Sequence, residues 1–316
     1  MSNYLGLMFV QKIKMNLFKR RKILVTHPGT FHTDDLFVTA VLDILHDGHI
    51  KIIRTSEKEY IDKADYVYDI GGVYDKEKNR FDHHQKDGHV RDNGIPYASL
   101  GLVWEKFGEE ICGSKEVSSL IEKKIILPID AEDNGVDLFK TNYVGVFPYA
   151  VGDIFKSEIP TWTEDIDEID RIFNKQVQKV VTLLRREIKI AKDDLDGIKV
   201  IKNAYDSSED KRIIKLNFNL PRYLYQDTLA KLREPLYVII PDRRDGKWKV
   251  EAIRLDLNTK ASRKSFPESW RGETDIEKLK EVSGVDDIIF CHRNGFLAGV
   301  KTLEGAIALA EKALIA

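Results

Sequence analysis

The sequence predicts an α/β protein, and three observations lead to that fold class. Short apolar runs alternate with amphipathic stretches from Lys22 to about Asp133, which is typical of a mostly parallel sheet flanked by helices. Between Thr163 and Ala191, apolar residues then recur every three or four positions, as on one face of a long helix. After that helix the pattern becomes rich in short strands. We therefore expect a first domain with a mostly parallel sheet, which the long helix links to a smaller α/β C-terminal domain.

The first domain begins with the apolar run KILVT, which predicts a buried strand at 22–26. A helix is expected at 34–48, where apolar residues have helical spacing and Gly48 ends the pattern. The next two strands are predicted at 49–55 and 64–72, and two more helices at 96–108 and 115–130.

The C-terminal domain is predicted from five segments with strand composition. They are GIKVI (197–201), RIIKLNF (212–218), LYVII (236–240), WKVEAIRLD (248–256) and IIFCH (288–292), and a closing helix follows from about Thr302 to Leu314. The domain boundaries that we expect are 1–20, 21–195 and 196–316.

The composition is that of an ordinary globular protein. Apolar residues make up 42% of the chain and the net charge is −2, which excludes a disordered polyelectrolyte. No run approaches the roughly 20 apolar residues of a membrane span, so no membrane partner is expected. Cys112 and Cys291 lie far apart in the sequence, which favours a reducing, cytoplasmic setting over a disulfide scaffold. Residues 1–20 are expected to form a flexible basic tail.

Histidines and aspartates follow several of the predicted strands. Because the carboxyl ends of parallel strands meet at one edge of a sheet, we expect these side chains to lie close together. They are His27, His32 and Asp34 after the first strand, Asp69 at the end of the third, Asp82, His83 and His84 after Phe81, and Asp130 and Asp133 after a further apolar run.

Imidazole and carboxylate without thiolate suit Mn²⁺, Fe²⁺, Zn²⁺ or Mg²⁺. So many ligands exceed the needs of one structural ion, whereas two neighbouring divalent ions are the arrangement used for displacement at phosphorus. Taken singly, each residue has a structural interpretation: Asp34 as a helix cap, for example, or Asp69 as an acceptor for turn amides. Their shared placement at strand ends favours a metal site.

The tripeptide DHH at 82–84 is the signature of the DHH phosphoesterase superfamily. The ordered motifs THPGTFHTDD, YDIGG, FDHHQ, IDAEDNG, SFPESWRG and FCHRNGF resemble the MYG1 family within it, from about residue 22 to the C-terminus. The resemblance implies that 21–195 is a DHH-type metal-binding catalytic domain, long linker helix included, and that 196–316 binds substrate. It also implies two divalent ions, with manganese preferred over magnesium, and 3′ to 5′ exonuclease activity on RNA.

The resemblance further implies a role for each motif residue. His27, His32 and Asp69 resemble the ligands of one ion. Asp34, the shared Asp69, His83 and an aspartate of the 130–133 loop resemble those of the second. For that aspartate we favour Asp133 over Asp130, although the spacing leaves both open. His84 would face the substrate phosphate as a hydrogen-bond donor or proton source, and Asp82 would orient a histidine.

Substrate contacts are expected from the C-terminal domain. Between 243 and 271 there are nine Lys or Arg against four Asp or Glu. The predicted anion contacts are Arg263, Lys264, His292, Arg293, Asn294 and Gly295, and Trp270 or Phe296 would stack on a base.

The expected partner is RNA or a short oligonucleotide, and the oligomeric state is left open. Because the net charge gives little long-range attraction for a polyanion, two alternatives stand beside the RNA exonuclease. One is a DHH-type phosphoesterase of small substrates, such as oligonucleotides, cyclic dinucleotides or pyrophosphate. The other is a non-catalytic protein that binds nucleic acid or metal.

Overall fold

The predicted α/β class is confirmed by a computed structural model, which describes residues 20–242 and 245–316. The chain divides into two compact units, Met1–Lys192 and Asp193–Ala316, and each contains one five-stranded sheet with helices packed on it. Apart from Arg20, the predicted basic tail lies outside the described residues, as do Arg243 and Arg244 of the basic segment.

The sheet of the first unit is mostly parallel, as predicted. Its strands are β1 (Lys22–Thr26), β2 (Ile50–Arg54), β3 (Tyr66–Tyr68), β4 (Tyr74–Asp75) and β5 (Arg80–Phe81). They lie in the order β2-β1-β3-β5-β4, and only the pair β4 and β5 is antiparallel. The strands β1, β3 and β5 therefore end at the same edge of the sheet.

Helices of the first unit cover this sheet. They are α1 (Thr33–Leu45), α2 (Lys58–Lys63), α3 (Ser99–Cys112), α4 (Lys115–Ile121), a π-helical turn (Glu122–Ile126), α5 (Leu127–Asp133) and α6 (Val151–Lys156). The helix α1 is apolar almost all round and is buried from Thr33 to Asp43, because it packs on both the sheet and α3. Its buried first turn contains Asp34 and Asp35.

The long helix is confirmed, but it runs further than the sequence predicts. A short 3₁₀ turn (Ile166–Glu168) leads into α7, which spans Ile169–Ser207. The strand predicted at 197–201 is wrong, since these residues continue the helix. The β-branched Ile198, Val200 and Ile201 favour a strand locally. However, Ile201 is fully buried and Ile198 packs against the same apolar cluster, so tertiary burial overrides the local preference.

The second unit has a mixed sheet. Its elements are β6 (Ile213–Lys215), α8 (Arg222–Leu229), β7 (Tyr237–Pro241), β8 (Trp248–Ala252), a 3₁₀ turn (Glu268–Trp270), α9 (Ile276–Ser283), β9 (Ile288–Cys291), β10 (Leu297–Val300) and α10 (Leu303–Ile315). The strand order is β6-β7-β8-β10-β9, and only β6 and β7 pair in parallel. In the described part of the chain, no helix is long and apolar enough to cross a membrane.

Candidate metal centre

Three strands of the first sheet end close together, and the residue that follows each strand belongs to one cluster. His27 follows β1, Asp69 follows β3 and Asp82 follows β5, each as the first residue beyond the strand. Asp69 has a left-handed backbone conformation, with φ of 55°, and its N–H donates to Ser99 Oγ at 3.1 Å. This turn directs the chain away from the sheet and leaves the buried Asp69 carboxylate at the carboxyl edge.

Asp69 lies at the centre of the cluster. Its Oδ2 is 3.3 Å from His27 Nε2 and 3.9 Å from His32 Nδ1, while its Oδ1 is 3.4 Å from His83 Nε2 and 3.9 Å from His84 Nδ1. One carboxylate thus faces histidines on both of its oxygens.

Three sets of side chains bring ligand atoms within 4.8 Å of one another. They are His27 with His32 and Asp69, Asp69 with His83 and His84, and Asp34 with His83 and Asp133. Asp69 and His83 each belong to two sets, so the sets form one continuous cluster. Such a cluster has enough ligand atoms for more than one divalent ion.

Several ligand atoms in this cluster are buried without a hydrogen-bond partner among residues 20–242 and 245–316. They are His27 Nε2, His83 Nε2, Asp34 Oδ2 and Asp35 Oδ2. His27 Nε2 is 3.1 Å from Asp35 Oδ2, and His83 Nε2 is 3.3 Å from Asp133 Oδ2, but neither contact has hydrogen-bond alignment. Because unsatisfied buried polar atoms are costly, their convergence on a common space fits a bound cation.

Hydrogen bonds at the far side of the ligands fix their orientation. A carbonyl can only accept, so His27 Nδ1–H donates to Pro28 O at 3.0 Å, and in the neutral ring Nε2 keeps its lone pair. The Leu100 N–H donates to Asp34 Oδ1 at 2.7 Å, which leaves Oδ2 for the cluster. These contacts prepare one free ligand atom on each side chain.

Carboxylates and imidazoles lie so close together in this cluster that their pKa values are shifted. Burial raises the pKa of Asp34 well above its usual value, and the neighbouring Asp69 and Asp133 add to this increase. Burial alone would lower the pKa of His27, but the carboxylates of Asp35 and Asp69 outweigh it and raise that pKa to about 10. Burial also opposes ionisation of Asp69, yet the histidines around it hold its pKa well below the usual range. A divalent cation would displace protons from the histidines and relieve the repulsion among the aspartates.

His84 differs from His83 in exposure and contacts. Its side chain is 62% exposed, against 9% for His83. The Asp82 carboxylate accepts from His84 Nδ1 at 2.7 Å and from the His84 backbone N–H at 3.0 Å. The other Asp82 oxygen accepts from the Gly72 N–H at 2.6 Å, so the buried Asp82 fixes the histidine to the β3 turn.

The two aspartates of α5 have different surroundings. Asp133 Oδ2 faces His83 and belongs to a donor set, whereas the fully buried Asp130 pairs with Arg91 at 2.6 Å and accepts from the Gly101 N–H at 3.0 Å. Burial raises the pKa of Asp130 to about 7, against the opposing effect of Arg91. The close approach requires glycine at 101, because a Cβ there would lie 2.0 Å from Asp130 Oδ2. Of the two aspartates, Asp133 faces the cluster and Asp130 faces Arg91.

Three residues support the cluster: the sequence favoured only a helix N-terminal role for Asp35, and it gave Arg91 and Arg54 no role. Asp35 accepts from the His32 backbone N–H at 2.9 Å and contacts His27, and Arg91 pairs with Asp130. The Arg54 side chain, only 2% exposed, donates to Gly29 O at 2.6 Å and to Asp170 at 2.6 Å, with its guanidinium 4.6 Å from the Phe173 ring centre. Arg54 thereby holds the loop between His27 and His32. The only indication of this role in the sequence is that Arg54 lies at the end of β2.

In the second unit, two of the predicted anion contacts are used within the fold. The Arg263 guanidinium donates to the carbonyls of Ala230, Arg233 and Pro235, and Lys264 Nζ donates to Leu314 O at 2.8 Å. The prediction that Trp270 stacks on a base is wrong, because this side chain is 3% exposed and belongs to the core.

The segment 292–295 forms a tight turn in the second unit. His292 Nδ1 accepts from the Asn294 N–H at 3.1 Å, and Gly295 has φ of 66° and faces Arg271. Arg293 packs its Cβ against Gly272. Only Asn294 of these four residues lines a neighbouring cavity of about 440 Å³, together with Arg222, Arg254, Lys260 and Phe296.

The α/β fold and the histidine–aspartate cluster define the class of protein: one with a sheet edge that can hold divalent metal ions. A family model described as "Uncharacterised protein family (UPF0160)" matches residues 23–314, and the chain belongs to this family, the MYG1 family. It is 30% identical to the "MYG1 protein" of Dictyostelium discoideum, over 92% of this chain and 95% of that one. It is also 27% identical to the "MYG1 exonuclease" of Homo sapiens, over 92% of this chain and 85% of that one.

Proposed function

We propose that this chain is a manganese-dependent phosphodiesterase that removes nucleotides from the 3′ end of RNA. The observation that carries the proposal is the convergence of three donor sets, in which Asp69 links the first to the second and His83 links the second to the third. The human and rat relatives are named "MYG1 exonuclease", which supports a nuclease function. DHH superfamily membership stays a prediction from the motifs.

The proposed ligands fit two divalent ions. His27, His32 and Asp69 would hold one ion, and Asp34, Asp69, His83 and Asp133 the other, with Asp130 behind them as a partner of Arg91. A mixed imidazole and carboxylate set without thiolate suits Mn²⁺, and the carboxylates also admit Mg²⁺. When bound, the ions would supply positive charge beside the scissile phosphate and lower the pKa of water.

The chain's own residues would manage the leaving group. Hydrolysis of the terminal phosphodiester breaks the P–O3′ bond, so the departing O3′ must gain a proton. His84 is the exposed imidazole next to the cluster, and Asp82 holds its Nδ1, which leaves Nε2 available to the substrate. Because Nδ1–H donates to Asp82, Nε2 can donate only when the ring is the imidazolium. We assign this form of His84 as hydrogen-bond donor or proton source, and Asp82 as its positioning residue.

For the second unit we propose that the cavity at Asn294 binds substrate anions. Arg222, Arg254 and Lys260 line it, although Arg222 also pairs with Glu251 and Arg254 with Asp227. Phe296 offers a ring at the same cavity and is 5.4 Å from the Arg222 guanidinium. Within this proposal, His292, Arg293 and Gly295 shape the turn that presents Asn294. Arg263 and Lys264 have no substrate role in this proposal, because both donate to backbone carbonyls within the fold.

A small substrate remains the alternative, because a net charge of −2 provides no long-range attraction for a long polyanion. The cytoplasmic setting is also a proposal, supported by the two buried free thiols, Cys112 and Cys291.

The test is product analysis on 5′-labelled single-stranded RNA, DNA of the same sequence, a dinucleotide, a cyclic dinucleotide and pyrophosphate, each with Mn²⁺, with Mg²⁺ and with chelator. The proposal expects a ladder of shortened RNA and release of nucleoside 5′-monophosphates, with the fastest reaction in Mn²⁺. Cleavage of only the small substrates would favour the alternative. No hydrolysis of any of them would favour a binding protein.

A further inference from the structure

A long loop, residues 134–150, exposes an unusual number of aromatic rings. It connects α5 to α6 with no helix or strand of its own. The side chains of Phe139, Tyr143, Phe147 and Tyr149 are 54%, 76%, 72% and 71% exposed, and Val144 and Val146 are also exposed. Loops of this length without secondary structure are commonly functional, and an exposed apolar patch commonly marks a binding surface. We name this segment the aromatic loop.

Both ends of the aromatic loop are fixed beside the candidate metal centre. It begins at the residue after Asp133, and the Asn134 and Val136 N–H groups donate to Asp130 O and Ala131 O in α5. It ends at α6, where Lys156 Nζ contacts Glu132 Oε1 at 2.6 Å. Glu132, Asp133 and Lys156 line one cavity of about 200 Å³ together with His32 and Asp34. The two ends of the loop that carries the rings are therefore attached beside the cavity that contains proposed ligands.

The loop has a defined conformation although its rings are exposed. The Val146 N–H donates to Tyr143 O, which closes a turn in which Gly145 has φ of 77°. The Tyr149 hydroxyl donates to Asp153 O at 3.1 Å, and the Ala150 N–H donates to Asp153 Oδ2 at 2.7 Å. A ring that is held at its hydroxyl and open to solvent on its face is suited to stacking.

The charge of the loop argues for stacking rather than for phosphate binding. Its charged residues are Asp137 and Lys140, so it carries no net charge. A surface for the phosphate backbone would contain several Lys or Arg. Aromatic rings without surrounding charge match the bases of a single strand, because every base has a face that can stack on them.

We propose that the aromatic loop is a stacking surface for the bases of single-stranded nucleic acid next to the scissile phosphate. This inference rests on the proposed function and deepens it, because it names the unpaired strand as the substrate class. A second copy of this chain is the competing occupant. The attachment of both loop ends at the cavity of the ligands favours the substrate.

The test is equilibrium binding, which needs no turnover and so separates this proposal from the proposed function. Anisotropy is measured with a fluorescein-labelled single-stranded RNA 12-mer and with an abasic 12-mer of the same backbone, in the presence of Ca²⁺. The variants are Tyr143→Ala with Phe147→Ala, the ring-preserving Tyr143→Phe, and Trp162→Ala as a control outside the loop, where the ring is 96% exposed.

The double variant is expected to bind the RNA roughly tenfold or more weakly, in low and high salt alike, and to bind the abasic strand as the parent does. Tyr143→Phe and Trp162→Ala should keep the parent's affinity for both. Equal losses on both strands, or no loss, would overturn the proposal. Sedimentation showing that the parent is a dimer and the double variant a monomer, with RNA binding unchanged, would assign the loop to self-association instead.

Discussion

In the first unit, Asp34 Oδ2 and His83 Nε2 are buried without a hydrogen-bond partner among the described residues, whereas Arg263 and Lys264 in the second unit donate to backbone carbonyls. Both regions stand out in the sequence by their charged or titratable side chains. Only the first leaves ligand atoms unsatisfied and converging. The comparison teaches that an excess of charge does not locate a site, and that unsatisfied groups of suitable chemistry do.

The largest expected effect is that of Asp69→Asn. Asparagine tolerates the left-handed φ of 55° at this position and has nearly the same shape, so the fold should be kept while the bridging charge is lost. We expect kcat/KM with Mn²⁺ to fall by more than about 100-fold, because even outer partners of metal ligands contribute 10 to 100-fold.

Asp62→Asn is the matched control, because Asp62 lies on the exposed helix α2 and pairs with Lys58 at the surface. Its activity should be that of the parent. Retained turnover in Asp69→Asn, at saturating Mn²⁺, would remove the catalytic assignment.

The second expected effect is a pH dependence of Mn²⁺ binding. Because a metal ligand must be deprotonated, protons compete with the ion, and affinity rises about tenfold per pH unit for each proton released. An ordinary histidine would stop contributing near its usual pKa, about 6.5. The carboxylates of Asp35 and Asp69 raise the pKa of His27 to about 10, so the rise in affinity should continue well above neutral pH. Calorimetry in buffers of different ionisation enthalpy would detect the protons, and an affinity that levels off near pH 7 would contradict this expectation.

A smaller effect is expected at Arg54, which supports the first donor set without belonging to it. Arg54→Lys keeps the charge but loses the planar contacts to Gly29 O and Asp170, so the His27–His32 loop should be held less firmly. Mn²⁺ affinity should fall by about 10-fold. Arg171→Lys is the control, because the Arg171 side chain is 71% exposed. Unchanged metal affinity in Arg54→Lys, with a lowered Tm, would limit Arg54 to a structural role.

The smallest effect on activity is expected in the second unit. Arg263→Ala removes charged donors from three carbonyls and should lower the free energy of unfolding by about 2 kcal/mol, with KM for RNA unchanged. Lys260 lies at the exposed rim of the Asn294 cavity, and Lys260→Ala should leave the Tm unchanged and raise the KM for RNA a few-fold. The opposite pattern would restore Arg263 as a substrate contact.

Although the two-residue strand β5 before Asp82 was not predicted, the sequence was sufficient to predict the sheet edge at His27 and Asp69, which follow strands with unambiguous apolar residues. The sequence was not sufficient where burial in the folded chain determines the secondary structure. The segment 197–201 has strand composition, but the apolar cluster around Ile201 continues the helix. Arg91 and Arg54 act on partners distant in the chain, at Asp130 and Gly29, and neither lies in a motif. Contacts of this kind depend on the fold and leave no local pattern.

Anomalous diffraction at the manganese edge, from crystals grown with Mn²⁺, is the most direct test of the bridging carboxylate. The account predicts two peaks, with Asp69 contacting both ions and Asp133, not Asp130, contacting one. A single ion that does not contact Asp69, or no peak near His27 and His83, would contradict it.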